Sequence, residues 1–462
     1  MKINKDYTFR SLKNYSVLIF SSVILIFFDA YEIYSVPLSW IGMSLLFFIS
    51  LYEFKLFYNK NRYHVTVFLF TIIFIPQATY LLFFNATTSD VFYIALRLFN
   101  LISFIFVLFF SIYYFQQEKL DKFMEYLKYF IYLFSLITIY IFIAQIFDLY
   151  EPFRNRSNTN LYGEAVQSTF WLSQPHRAMG TFREPVFLVS FFFPIVILFL
   201  YFSKEKIIVP SILSGIALGL SRSNLLILFS IIFLSFFIVQ FIIEKKYKFQ
   251  YFIFFIFIFI FSIFGVFECN LNPNSNECIE YEDVVSKINN SGKIKIDTNI
   301  DEPVVEIGGD RINVIKYFLG SIKYSNIESF ISINDNYQEY STLMVNEEMY
   351  FSNRTLPRYL LQRYSTDNFG TGKYSVNQYS INVQNMFVFY TVAFGALFPL
   401  LLFLLFVHFL TTKAINFDSI FFLLCILFFF TVPIEEVNAY TGLIVGLAYN
   451  LFVKEKIKYE QI

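Results

Sequence analysis

His176-Arg177-Ala178-Met179-Gly180-Thr181-Phe182-Arg183-Glu184-Pro185 runs directly into the apolar stretch 186–201, and this junction decides how the chain is read. Two arginines, a histidine and a glutamate stand where a polar loop becomes a hydrophobic span. Ionisable groups at a membrane boundary are costly to desolvate, so they usually face a water-filled cavity and a ligand rather than lipid. A single arginine here would read as a side chain snorkelling toward headgroups. Two arginines six positions apart, with His176, Glu184, Gly180 and a span-opening Pro185, read instead as a working site.

Outward from that junction the composition agrees. The 462 residues are 57% hydrophobic and 15% charged, with a mean hydropathy of +0.56, which places the chain among polytopic membrane proteins. Phe and Tyr number 66 and 34, so much of the lipid-facing surface must be aromatic. Formal net charge is zero, so no nucleic-acid partner is indicated and the arrangement of charges carries the information. Residues 1–13 form a basic tail and 17–28 are followed by no small-residue cleavage site, so the first span is expected to stay.

Runs long enough to cross about 30 Å of hydrocarbon number about twelve. They centre near residues 22, 46, 74, 103, 138, 193, 214, 234, 259, 398, 426 and 445, the weakest pair flanking Ser221. The expected fold is therefore an all-α polytopic membrane protein with one large outward loop that contains helices. Its expected parts are spans in 1–147, a loop with the arginine motif in 148–185, spans in 186–267, a large lid-like loop in 268–385 and spans in 386–462. Alternate connections carry the basic residues, among them Lys2, Lys5, Arg10, Lys55, Lys60, Lys119, Lys122, Lys245, Lys246, Lys413 and Lys454, whereas 29–37, 85–90 and 433–438 carry no Lys or Arg. Both termini are then cytoplasmic and the motif faces outward.

Other charges fall into the same frame. Arg97, in the outer third of the fourth span, is read as pointing into a cavity, because Leu96 and Leu98 offer headgroups no polar face. Ser221-Arg222-Ser223-Asn224 forms a turn between two spans, where Arg222 is either a snorkelling residue or a ligand for the same site. The large loop is net acidic, yet Arg354, Arg358 and Arg363 gather in its last third before Gly370 and Gly372. Within it, 293–296 hints at a short strand and 311–324 at an amphipathic helix. Cys269 and Cys278 are either a local disulfide or two thiols, and Cys425 reads as a small apolar side chain within a span. Gln384 and Asn385 open a late span, where amides are ordinary caps.

Arginine binds phosphate bidentately and keeps its charge at any working pH. Several outward arginines around a membrane cavity therefore point to a lipid-linked phosphate or pyrophosphate headgroup. His64, His176 and His408 are the only histidines and no carboxylate cluster accompanies them in an outward loop, so no metal is expected. No P-loop or dinucleotide fingerprint is present, which disfavours a nucleotide-driven machine, and no cofactor is expected.

Arg177-x-x-Gly180-x-Phe182-x-Glu184-Pro185 before a span, Ser221-Arg222-Ser223 before another, a large outward loop, then Gln384-Asn385 with Gly395 in the following span, resemble the O-antigen polymerase and ligase superfamily, and the polymerases most. The resemblance implies a glycosyltransferase of the C type: multi-span, metal-independent, acting at the periplasmic face of a bacterial inner membrane on undecaprenyl-pyrophosphate-linked glycans. It implies that Arg177, Arg183 and Arg222, with Arg354, Arg358 or Arg363, hold the pyrophosphate. Arg354 followed by Gly370 fits a spacing of the polymerases. Where the ligases carry a histidine this chain has Gln384, which cannot act as a general base.

The implied reaction is glycosyl transfer with the lipid pyrophosphate as leaving group, its charge stabilised by arginine. Glu184 and His176 are candidates to receive the proton of the incoming sugar hydroxyl, although Glu184 also suits an ion pair with Arg183 or Arg222. Two lipid-linked glycans, donor and acceptor, must enter together, and a chain-length regulator is the partner that the resemblance implies. An O-antigen ligase is the alternative expectation. A flippase or other transporter ranks third, because no internal repeat is seen and the polar residues cluster at the outer ends.

Overall fold

A computed structural model describes residues 15–34, 36–53, 88–115, 118–146, 149, 177–182, 185–203, 207–244, 249–263, 294–295, 306–307, 417–431 and 437–459. Ten helices lie among them: α1 (Ser16–Phe27), α2 (Leu38–Tyr52), α3 (Thr88–Tyr114), α4 (Glu118–Ile146), α5 (Pro185–Phe202), α6 (Ile208–Gly219), α7 (Asn224–Glu244), α8 (Phe249–Ile263), α9 (Phe417–Thr431) and α10 (Ala439–Tyr459). Among the described residues, three segments are long and apolar enough to cross a membrane: Lys119–Ala144, Pro185–Phe202 and Leu225–Glu244. The apolar stretches of the other described helices are shorter, 10–17 residues, α6 having only 12 residues in all, or about 18 Å of rise. The chain is a helical membrane protein. The expected spans near residues 74 and 398, and most of the loop 268–385, lie outside the described residues.

Two two-residue ladders interrupt the helices. Glu32–Ile33 (β1) pairs antiparallel with Val36–Pro37 (β2) and turns the chain from α1 into α2. Ile294–Lys295 (β3) pairs antiparallel with Glu306–Ile307 (β4), which bears out the strand expected at 293–296 and supplies its partner. Cys425 is buried in α9 as an unbridged thiol, as expected. Cys269 and Cys278 lie outside the described residues.

Helix α5 is apolar on every side and buried on almost every side, from Leu188 to Tyr201. A helix hydrophobic all round has no solvent face to offer, so it becomes the centre of the packing. Its Pro194 has no N–H for the carbonyl one turn back. The neighbouring Phe191 carbonyl accepts the buried Tyr440 hydroxyl from α10. Around α5 the core is largely aromatic: Phe27 meets Phe130, Phe134, Phe182 and Phe192 edge to face, with centroids 4.8 to 6.0 Å apart. Edge-to-face pairing lets a dense core be built from rings without sandwich repulsion.

The most extensive helix pair, α3 with α10, is made by small residues. A Cβ on Gly442 would lie 2.6 Å from the Phe104 carbonyl oxygen, and one on Gly446 would lie 2.6 Å from the Ser111 Cβ. The contact positions rise together along both helices, so the pair runs parallel. Gly215 and Gly219 of α6 approach Phe254 and Ile258 of α8 in the same way. Small residues four apart let two backbones come close, which is how helices gain packing energy where hydrophobicity alone drives nothing. The start of α10 is fixed by a reciprocal cap: the Thr441 amide donates to Asn438 Oδ1 at 3.0 Å and the Asn438 amide donates to Thr441 Oγ1 at 2.9 Å.

Candidate functional site: two arginine turns at one end of the bundle

Residues 177–182 form a tight turn before α5, and the sequence accounts for its shape. The Phe182 amide donates to the Met179 carbonyl at 3.1 Å, with Gly180 between them at φ 58°. Glycine adopts that backbone without strain. It is also the residue that fits, because a Cβ at 180 would stand 2.8 Å from Thr138 Oγ1 of α4.

Three attachments hold the turn. Phe182 is fully buried, stacked on Phe191 at 5.4 Å and packed against Phe27 and Phe134. Thr181 Oγ1 donates to the Phe27 carbonyl, and the Thr181 carbonyl accepts the Ala30 amide at 3.0 Å. These two bonds use backbone groups at the C-terminal end of α1 that the helix itself cannot pair. On the opposite flank, Arg177 Nε donates to the Ser221 carbonyl at 2.7 Å and the Ala178 amide donates to the Leu220 carbonyl at 2.9 Å.

The second turn, 220–223, joins the C-terminus of α6 to the N-terminus of α7. Its amides fold back on α6: Ser221 onto Leu218 and Arg222 onto Gly219, both at 3.0 Å. Arg222 has φ 51°. That left-handed conformation costs a side-chain-bearing residue about 1 kcal/mol or more and is ordinarily given to glycine at helix ends. Arg222 is half-buried, and the helix that begins two residues later has no acidic residue in its first turn. The positive end of the α7 dipole is therefore left without an internal counter-charge of that kind, an arrangement that favours an anion.

The structure thus brings Arg177 and Arg222 together through adjacent turns, although they lie 45 positions apart in sequence. Arg97 lies within α3, and nothing is described of its side chain. His176, Arg183, Glu184, Arg354, Arg358, Arg363, Gln384 and Asn385 lie outside the described residues. Two hydroxyls at this end, Thr138 and Ser221, are fully buried and without a hydrogen-bond partner among the described residues; Ser221 belongs to the turn singled out from sequence, and Thr138 was not picked out. No sequence signal marks Thr138, because serine and threonine within apolar helices commonly bond back to their own backbone, as Ser135 does to Ile131.

Comparison with known proteins finds no family model, no curated protein and no solved structure that matches the chain.

Proposed function

We propose that the chain is a glycosyltransferase that polymerises undecaprenyl-pyrophosphate-linked oligosaccharide repeat units at the outer face of a bacterial inner membrane. The observation that supports this most is the meeting of the Arg177 and Arg222 turns at the N-terminal end of α7, within a helical membrane protein. Guanidinium groups and a helix N-terminus together suit a phosphate or pyrophosphate. The motif resemblance extends that anion to a lipid carrier bearing a glycan.

In this reading, a hydroxyl of the acceptor repeat unit attacks the anomeric carbon of the donor glycan. A new carbon–oxygen bond forms, the bond from that carbon to the pyrophosphate breaks, and the hydroxyl proton passes to a nearby base, His176 or Glu184. Arginines stabilise the charge that gathers on the departing pyrophosphate, in a site where little water competes. Arg183 from the same motif and Arg354, Arg358 or Arg363 from the large loop complete the cation set.

The test is the glycan profile of a deletion strain complemented with wild type, Arg222→Ala or Arg183→Ala. Core capped by a single repeat unit in the deletion and both mutants is the expected result. Bare core with polymer held on the lipid carrier would make the protein a ligase. Loss of all outward lipid-linked repeat units would make it a flippase, and full polymer in both arginine mutants would remove the site.

A further inference from the structure

The two turns carry arginines that are not equivalent. Arg177 is half-buried and its Nε donates to the Ser221 carbonyl at 2.7 Å, while the next amide, Ala178, donates to the Leu220 carbonyl at 2.9 Å. Both acceptors belong to the residues immediately before Arg222. Arg222 stands at φ 51°, a backbone that a side chain disfavours and that persists only where its surroundings over-determine it. The Ser221 hydroxyl, fully buried and unpartnered among the described residues, does nothing to hold the turn. What holds it is the Ser221 amide on Leu218 and the Arg222 amide on Gly219 from within, and the Arg177–Ala178 clamp from outside.

We infer that Arg177 is a positioning residue, fixing the strained turn that carries Arg222, and that Arg222 is the guanidinium that meets the anion. This rests on the pyrophosphate reading above and divides the labour between two residues that a motif alone would treat alike. A glycine at 222 would relax the backbone, so an arginine kept in this conformation is placed for its side chain and not for the turn. The two arginines should then act in series: removing Arg177 should matter only while Arg222 is present.

The experiment uses the full chain in nanodiscs, titrated calorimetrically with farnesyl pyrophosphate and with inorganic pyrophosphate, and thermal midpoints recorded in parallel. Arg222→Gly is expected to weaken farnesyl pyrophosphate binding about tenfold or more while the midpoint stays or rises. Arg177→Ala and Arg177→Lys are both expected to weaken binding, since lysine keeps the charge but has no Nε to give the Ser221 carbonyl. Arg177→Lys also preserves the side-chain stem, so the test stands if Arg177→Ala does not fold. In the double variant Arg177→Ala with Arg222→Gly, affinity should be no lower than in Arg222→Gly alone. Losses that multiply in the double variant would mean that Arg177 touches the anion itself, and full affinity in Arg177→Lys would mean that the Nε bond does not fix the turn; either would overturn the inference. Wild type binding neither probe would remove the pyrophosphate reading and this inference with it. Tighter binding of farnesyl than of inorganic pyrophosphate identifies a lipid-linked source, and equal affinities would overturn that part of the reading.

Discussion

At the N-terminal end of α5, arginine, amide and hydroxyl donors from residues 177–182 bond to backbone carbonyls of two other helix ends; at the opposite end, tyrosines bond to carboxylates. There the Tyr201 hydroxyl donates to Asp418 of α9, and at the corresponding end of α1 the Tyr15 hydroxyl donates to Glu53 at 2.5 Å. Lys119 sits over the Tyr114 ring, 4.8 Å from its centre. The tyrosine end matches its acids with neutral donors and its cation with a ring. The arginine end directs Arg177 Nε to a backbone carbonyl and sets Arg222 beside a helix N-terminus whose first turn holds no acidic residue. The two ends share an apolar scaffold, and of these bonds only those at the tyrosine end reach carboxylates.

That comparison breaks first if the arginine end proves to be mere packing. Phe182→Ala empties a fully buried site bounded by Phe27, Phe134 and Phe191, and is expected to cost about 3–5 kcal/mol. Thermal unfolding of the detergent-solubilised chain should show this as a large fall in midpoint, with stability and polymer lost together. Retained stability in Phe182→Ala would mean that Phe182 is not the anchor of the turn.

Next in size is the scaffold that both ends share. Gly442→Leu drives a side chain into the Phe104 carbonyl on α3, and overpacking of this kind costs about 1–3 kcal/mol. The same thermal measurement is the check, and the expectation is a fall in midpoint for both Gly442→Leu and Gly446→Leu. An unchanged midpoint would mean that α3 and α10 are not seamed through these glycines.

Smaller again is the effect at the tyrosine end. Tyr201→Phe removes the donor to Asp418 but leaves the ring stacked 3.9 Å from Phe421, so the expected loss is about 1–2 kcal/mol. Polymer length in the complemented strain should be unaffected, in contrast to Arg222→Gly, where polymer is lost at unchanged stability. Polymer lost in Tyr201→Phe without a fall in midpoint would make the tyrosine end a second functional region and end the contrast.

These pairings also show how far sequence reaches. The apolar runs at 185–202 and 224–244 and the turn at Ser221-Arg222 were legible, because each is set by residues close in sequence. The seam between Gly442 and Phe104, the pair Tyr201–Asp418 and the stack of Phe182 on Phe191 were not. Helices apolar on every face carry no stripe to say which neighbour each side meets. With phenylalanine at so many positions, any ring could have been the anchor. The motif told that Arg177 matters but not how, since a guanidinium bonding a carbonyl and one bonding a phosphate look the same in sequence.

The smallest effect sharpens the comparison most, because it asks whether a polar group at the arginine end belongs to the site or to the scaffold. Thr138 Oγ1 is fully buried with no partner among the described residues, while its methyl already packs where a Cβ at 180 would stand, 3.5 Å away. A buried hydroxyl without a bond carries a desolvation penalty that a methyl of the same shape lacks. Thr138→Val is therefore expected to raise stability by about 0.5–1 kcal/mol, read as a small rise in thermal midpoint, with polymer output unchanged. A fall in midpoint would mean that the hydroxyl is bonded after all, for instance through a buried water, and polymer lost at raised stability would place Thr138 among the groups that the glycan meets. In the second of those cases the site extends from the two arginine turns onto α4, and the absence of a side chain at Gly180 leaves Thr138 within reach of substrate rather than only closing a turn.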